Sequence, residues 1–214
     1  MKLYLSSYKL GKDVELLKEW VKNNKKILVI PNALDVFADG ERKINGILDK
    51  CKDLQDLGFE TEVLDLREYF NKENELRAHL ENYNSFYVLG GNVFVLRQAM
   101  RLSGFDNYLQ DISQSENYLY SGFSAGICVL AKDLHGIHLA DAPEKDPYNY
   151  GSIIWDGIGI IDYMPVPHFD TPEHPESHLM YDVVKYLQDH NLSYQTLHDG
   201  DVIIESDKNQ TLKQ

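Results

Sequence analysis

The sequence predicts an α/β protein built as a three-layer sandwich, with a mostly parallel central sheet covered by helices on both faces. Short apolar runs alternate with segments of helical periodicity through the first two-thirds of the chain, an order typical of parallel sheets. The apolar runs are continuous rather than alternating, as expected of strands buried on both faces. Two late apolar runs flank an Asp-Gly turn, which predicts antiparallel strands near the C-terminus.

Each predicted element follows from a local pattern. Continuous apolar runs predict the strands Lys2–Ser6, Ile27–Ile30, Thr61–Leu66, Phe86–Leu89 and Tyr118–Gly122. Apolar residues at helical spacing predict the helices Val14–Val21, Ile44–Leu57, Glu73–Leu80, Val93–Leu102 and Ser177–Asp189. The late pair, Tyr194–Leu197 and Val202–Glu205, is predicted to form a hairpin. No repeat or linker divides the chain, so one domain over residues 1–214 is expected.

Composition and charge make some partners and locations of the protein unfavourable. The 214 residues include 21 basic and 34 acidic ones, for a net charge of −13. Such an acidic chain disfavours nucleic acids and anionic membranes as partners. Neither a signal peptide nor an apolar run of membrane-spanning length is recognisable, and the two cysteines, Cys51 and Cys128, form no metal or disulfide pattern. A cytoplasmic protein is therefore expected, and its oligomeric state is left open.

The most informative motif is G-x-S-x-G at residues 122–126, centred on Ser124. It follows a predicted strand and opens a predicted helix, which is the context that a nucleophile elbow requires. The glycines permit a tight turn that lifts the serine hydroxyl above the sheet edge. A plain strand–helix turn would show the same small residues, but the context favours a nucleophile.

A second glycine motif, Gly90-Gly91-Asn92, also stands at the carboxyl end of a strand, where open parallel sheets place their sites. The backbone N–H of Gly91, with that of Ala125, is expected to form an oxyanion hole. Asn92 is a candidate substrate-binding residue.

A serine nucleophile needs a base and an acid that orients it. His168 follows Pro167 at the end of an apolar run and is the preferred base among eight histidines. Asp170 would share its face in a strand and is a supporting or alternative acid. Asp199 and Asp201 flank Gly200, and position alone does not separate them.

A metal site is a weaker alternative. His168, Asp170, His174 and His178 cluster in sequence, but Pro172 and Pro175 interrupt any helix that would align them. No metal or other cofactor is therefore expected.

Taken in order, the G-G-N, G-x-S-A-G, P-H-F and D-G-D motifs resemble the peptidase E (α-aspartyl dipeptidase) family, which includes cyanophycinase. The resemblance spans roughly residues 1–205 and implies a fold similar to class I glutamine amidotransferase domains. It implies a triad of Ser124, His168 and Asp199, because the family acid precedes the glycine. The α/β-hydrolases place the acid before the histidine instead, where Asp141 and Asp156 stand.

The expected function is a serine peptidase that hydrolyses short peptides in the manner of a dipeptidase. An esterase or amidase on the same fold and a non-catalytic binding module are the alternatives. Relatives that cleave Asp-Xaa dipeptides hold the acidic side chain with a basic residue downstream of the histidine, whereas here none follows His168 until Lys185. Strict Asp-Xaa specificity is therefore not expected, and His174 and His178 remain substrate-binding candidates.

Overall fold

A seven-stranded sheet forms the centre of the molecule, in a computed structural model that describes residues 1–21, 24–206 and 209–213. Its strand order is β3-β2-β4-β5-β1-β8-β9. The bounds are β1 Lys2–Ser6, β2 Lys26–Ile30, β3 Glu60–Val63, β4 Ser85–Val88, β5 Leu119–Phe123, β8 Val202–Ser206 and β9 Asn209–Lys213. The first five strands in this order are parallel, and β8 and β9 are antiparallel to their neighbours.

Helices cover both faces of this sheet. They are α1 Val14–Val21, α2 Glu41–Asp56, α3 Glu73–Leu80, α4 Val93–Ser103, α5 Phe105–Ile112, α6 Ala125–Cys128 and α7 Ser177–Asp189. Residues of α1 and α2 pack on one face, and residues of α3 to α7 pack on the other. Successive strand residues divide between these layers, so Leu28 and Val29 enter different clusters although both are fully buried. The predicted three-layer α/β fold is confirmed.

The predicted hairpin between Tyr194–Leu197 and Val202–Glu205 is wrong. Tyr194–Thr196 (β7) pairs in parallel with Met164–Val166 (β6) in a separate two-stranded sheet, and β8 pairs with β1. The Asp201 carboxylate accepts the backbone N–H of His198 at 2.9 Å. That bond makes a local turn that resembles a hairpin loop, although the strands on its two sides belong to different sheets.

The strand predicted over Thr61–Leu66 ends early, at Val63. Asp65 accepts the N–H of Arg67, and Asn32 accepts the N–H of Leu66 at 3.0 Å, so a 3₁₀ turn replaces the strand. Sequence reasoning also missed α5 and β9. In the described part of the chain, no helix combines the length and the apolar character needed to cross a bilayer.

Candidate active site

Ser124 lies in a strained turn between β5 and α6. Its φ of 51° and ψ of −122° are unfavourable for a non-glycine residue. A Cβ atom at Gly122 would lie 2.7 Å from the carbonyl oxygen of Val88, and one at Gly126 would lie 2.4 Å from it. Both glycines are therefore needed for β4 to pass this close. The helix beyond is a single turn, so its dipole is small.

Gly91 begins the neighbouring loop, at the carboxyl end of β4. Its φ is +147°, and a Cβ atom there would lie 2.3 Å from the carbonyl oxygen of Ala33. In the described residues, no backbone hydrogen bond uses the N–H of Gly91, and Ala125, as the first residue of α6, has no intrahelical acceptor. Both N–H groups are thus available to a ligand.

Gly91→Ala is expected to lower the free energy of unfolding by about 2 kcal/mol or more, because it adds an atom against backbone at a φ that alanine avoids. Gly46→Ala is the matched control, since Gly46 lies inside α2 and its added Cβ would meet nothing within 4 Å. That change should stabilise the protein by about 0.5–1 kcal/mol. Urea denaturation measures both, and equal unfolding of Gly91→Ala and the parent would contradict the close packing.

Asn92 and Asp141 secure the start of α4 beside this loop. The Asn92 side chain accepts the N–H groups of Phe94 and Val95 at 3.0 Å and donates to Ala142 at 3.1 Å. The Asp141 carboxylate accepts the N–H of Val93 at 2.7 Å, and burial raises its pKa to about 7. Both side chains are therefore engaged at the helix, where they position the Gly91 loop.

His168 and Asp199 meet beyond the carboxyl edge of the sheet. Nδ1 of His168 lies 2.7 Å from Oδ1 of Asp199, and the His168 ring is buried. The Ser7 hydroxyl accepts the N–H of His168 at 2.8 Å and donates to Asp199 at 2.9 Å. Ser7 therefore ties the base and its carboxylate partner to the end of β1.

The other acids named from the sequence lie elsewhere. Asp201 is buried, and its carboxylate accepts the N–H of His198. Asp170 is exposed and accepts the Tyr181 hydroxyl at 2.7 Å, in a turn rather than a strand, so the expectation that it shares a strand face with His168 is wrong. Among the acids before the histidine, Asp141 binds α4 instead of His168.

The turn of Ser124 lies beside Ser7, the residue that binds His168. The β1–β5 register pairs Ser6 with Phe123, so the next residues, Ser7 and Ser124, emerge side by side. Ser7 holds His168 as described above. Within the described residues no hydrogen bond joins Ser124 Oγ to the His168 ring, and such bonds are often long before substrate binds.

Two aromatic rings, those of Tyr8 and His174, contact the His168 ring. His174 stacks on His168 with ring centroids 3.6 Å apart and planes at 2°. The Tyr8 ring makes edge contacts with His168, His174 and Phe123 at 5.9, 5.6 and 6.1 Å. His178 is exposed on α7, outside this cluster.

The side chains of His168, His174 and Asp199 each place one potential ligand atom within 4.8 Å of the others. Two imidazoles bind one ion only when their in-plane lone pairs converge on it. The two rings are parallel and 3.6 Å apart, so their in-plane lone pairs lie in separate planes and do not converge on one point. The side chains as arranged favour ring stacking between the two histidines over coordination of a metal ion.

Burial lowers the pKa of His168 below the ordinary histidine value. The hydrogen bond to Asp199 opposes this effect, and proximity to His174 adds to it. The ring is therefore neutral at neutral pH, which is the form that accepts a proton.

Sequence reasoning missed Ser7 and Tyr8. Both follow β1, whose carboxyl end lies beside that of β5. A serine and an aromatic residue after a buried strand are a weak signal by themselves. Only the strand order makes them neighbours of the elbow.

Solved structures with the same fold are peptidases by their descriptions. One, described as a "Putative Peptidase E Protein" from Listeria monocytogenes EGD-e, matches with a TM-score of 0.78 at 23% identity over 99% of this chain and 97% of that chain. A peptidase from an acI-B1 Actinobacterium matches with a TM-score of 0.69 at 18% identity, over 99% of this chain and 86% of that chain. At these identities the likeness shows the fold alone.

A family model gives the family of this chain. The model of peptidase family S51 matches residues 6–212, and the chain belongs to that family. An uncharacterized peptidase of Listeria monocytogenes is 29% identical over 56% of this chain and 56% of its own length. One of Listeria innocua is 30% identical over 46% of this chain and 45% of its own length. The chain thus spans about half the length of the curated relatives it matches.

Proposed function

We propose that this protein is a serine peptidase that hydrolyses short peptides, with Ser124 as nucleophile, His168 as base and Asp199 as the orienting acid. The observation that carries the proposal is the 2.7 Å contact between His168 Nδ1 and Asp199 Oδ1 at the strand end beside the Ser124 turn. Membership of family S51 supports peptide hydrolysis.

In this mechanism Ser124 Oγ attacks the peptide carbonyl carbon while Nε2 of His168 takes the hydroxyl proton. Asp199 holds the Nδ1–H and stabilises the imidazolium that forms. The N–H groups of Gly91 and Ala125 bind the oxyanion, each worth a few kcal/mol in the transition state. The C–N bond then breaks as His168 protonates the leaving amine, and the acyl group stays on Ser124 Oγ as an ester. In the second half His168 takes a proton from water, whose oxygen attacks the ester carbon, and returns that proton to Ser124 Oγ as the C–O bond breaks.

The direct test is digestion of a peptide library with the purified protein, compared with turnover of matched esters and simple amides. Cleavage of short peptides supports the proposal. Ester turnover without peptide cleavage would identify an esterase instead. A folded protein that turns over neither and is not labelled at Ser124 by a phosphonate probe would be a binding module.

The pH dependence follows from the burial of His168. Because a protonated imidazole cannot accept the serine proton, activity should fall at low pH as His168 gains its proton. Its lowered pKa places that fall below the ordinary histidine value. The measurement is kcat/KM against pH for one peptide, and activity that stays flat from acid to neutral pH would contradict a histidine base.

Strict preference for Asp-Xaa dipeptides is not expected. Arg97 and Arg101 both pair with Asp106, at 2.9 and 2.8 Å, and are not free to bind a substrate carboxylate. Two exposed lysines lie beside the site: Lys9, with Nζ 5.2 Å from the Tyr8 ring centre, and Lys12, whose side chain lies against Gly200. An exposed ammonium pairs weakly.

Specificity constants for Asp-Leu, Ala-Leu and Leu-Leu measure this preference, with Lys9→Gln as the variant. Lys26→Gln is its control, since Lys26 is exposed at the start of β2, at the opposite edge of the sheet. The expected Asp-Leu advantage is below about tenfold, since an exposed ion pair contributes roughly 0–1 kcal/mol. A preference of about a hundredfold or more would show that a cation enters the site from elsewhere.

A further inference from the structure

The His174 ring lies flat against the proposed base. The centroids of His168 and His174 are 3.6 Å apart and their planes differ by 2°. His174 is only half-buried, whereas His168 is 1% exposed. The contact therefore covers one face of the base with a second titratable ring.

The hydrogen bonds of His168 do not by themselves fix the plane of its ring. Ser7 accepts its backbone N–H, and Asp199 binds Nδ1. A single bond at Nδ1 leaves the ring free to tilt about that contact, and tilting moves Nε2 away from the nucleophile. Tyr8 meets the ring only edge-on, at 5.9 Å. The flat contact with His174 opposes tilting on one face of this buried ring.

We propose that His174 is a positioning residue of this site: it holds the His168 ring face-on, keeps water from that face and, when charged, opposes a second positive charge on the base. The proposal rests on the proposed function, because it assigns the role of base to His168. A displacement of about 1 Å at a catalytic group can cost about a hundredfold in rate.

Charge is the second part of the role. Two imidazolium rings in face contact repel, so protonation of one disfavours protonation of the other. Proximity to His174 lowers the pKa of His168 accordingly. The other charged or titratable groups around the pair are Tyr8 and Lys9 after β1, His198 and Asp199 before β8, and Glu173 and Glu176 beside His174. Of these, Asp199 bonds directly to His168 and favours its charged form.

Two substitutions separate the effect of the His174 ring on the orientation of His168 from the effect of its charge. His174→Phe keeps a flat ring against His168, but a phenyl ring cannot be protonated. His174→Ala removes both the ring and its charge. His190→Ala is the matched control, since His190 is an exposed histidine at the end of α7 that stacks on Tyr186, outside the cluster.

The experiment measures kcat and KM against pH for each variant, and follows the His168 imidazole by NMR titration without substrate. We expect His174→Ala to lower kcat about tenfold on the alkaline plateau, within the hundredfold limit above, with KM little changed. His174→Phe should restore kcat to within about threefold, while the acid limb of kcat/KM and the His168 titration both move to higher pH. His190→Ala should match the parent throughout.

Two results would overturn the inference. One is a His174→Ala variant with the parental kcat and His168 titration. The other is an equal increase of KM in the Ala and Phe variants, with kcat and the His168 titration unchanged. That result would make His174 a substrate contact. Thermal melting identifies any misfolded variant, and His174→Phe retains the packing if the alanine variant unfolds. If the parent cleaves no peptide, the proposed function fails, and the titration of His168 in His174→Phe still decides the inference.

Discussion

Ser124→Ala is expected to lower peptide turnover by about 10⁴-fold or more while the fold stays intact. Removing the nucleophile of a triad leaves only the catalysis that substrate binding and the oxyanion hole provide. Alanine keeps the Cβ atom, so the turn at φ 51° between β5 and α6 carries the same backbone strain in both proteins. The unfolding free energy should therefore change by less than about 1 kcal/mol.

The measurement is kcat/KM on a peptide that the parent cleaves, with labelling by a phosphonate probe as the second readout. Ser115→Ala is the control, since Ser115 lies in a turn before β5, on the opposite side of the sheet from its carboxyl edge. The parent and the control should be labelled at Ser124, and Ser124→Ala should not. Parental activity in purified Ser124→Ala would remove this serine from the mechanism.

Asp199→Asn is expected to lower kcat by about 10⁴-fold, because an amide in that place favours the wrong tautomer of the base and cannot stabilise the imidazolium. The carboxylate lies 2.7 Å from His168 Nδ1 and also accepts the Ser7 hydroxyl at 2.9 Å. The change keeps the shape of the side chain, so the loss should appear in kcat more than in KM.

The other two aspartates serve as matched controls for this substitution. Asp170→Asn should leave activity near the parental value, because Asp170 is exposed and bonded to Tyr181. Asp201→Asn alters the turn that carries Asp199, because the Asp201 carboxylate accepts the His198 N–H. It should lower the free energy of unfolding by about 1 kcal/mol and reduce kcat less than Asp199→Asn does. A greater loss of kcat in Asp201→Asn than in Asp199→Asn would reverse the assignment of the acid.

The layered α/β fold and the tight turn at Ser124 could be predicted from the sequence, because both depend on short-range patterns. Continuous apolar runs show that the strands are buried on two faces, and the clusters on either side of the sheet confirm it. The turn at Ser124 needs small residues within two positions of it. Gly122 and Gly126 therefore indicate a close backbone approach from residue type and spacing alone, and the backbone that approaches them is that of Val88.

Tertiary structure decided which distant side chains meet. The hairpin prediction was wrong because β7 and β8 find partners in different sheets, β6 and β1, and pairing across a chain of this length leaves no local trace. The same limit applied to the choice of acid. Asp199 and Asp201 flank one glycine, and only the turn closed by Asp201 directs Asp199 toward His168.

Ser7 and His174 show this limit most plainly. Ser7 is 161 positions from His168, yet its hydroxyl accepts the backbone N–H of that residue at 2.8 Å. His174 is near His168 in sequence, but its stacked geometry depends on how the loop before α7 folds back over the sheet edge. Residue type and spacing determine what chemistry a chain can carry, whereas strand order and loop path determine which groups reach each other, because those contacts are made across the fold rather than along the chain.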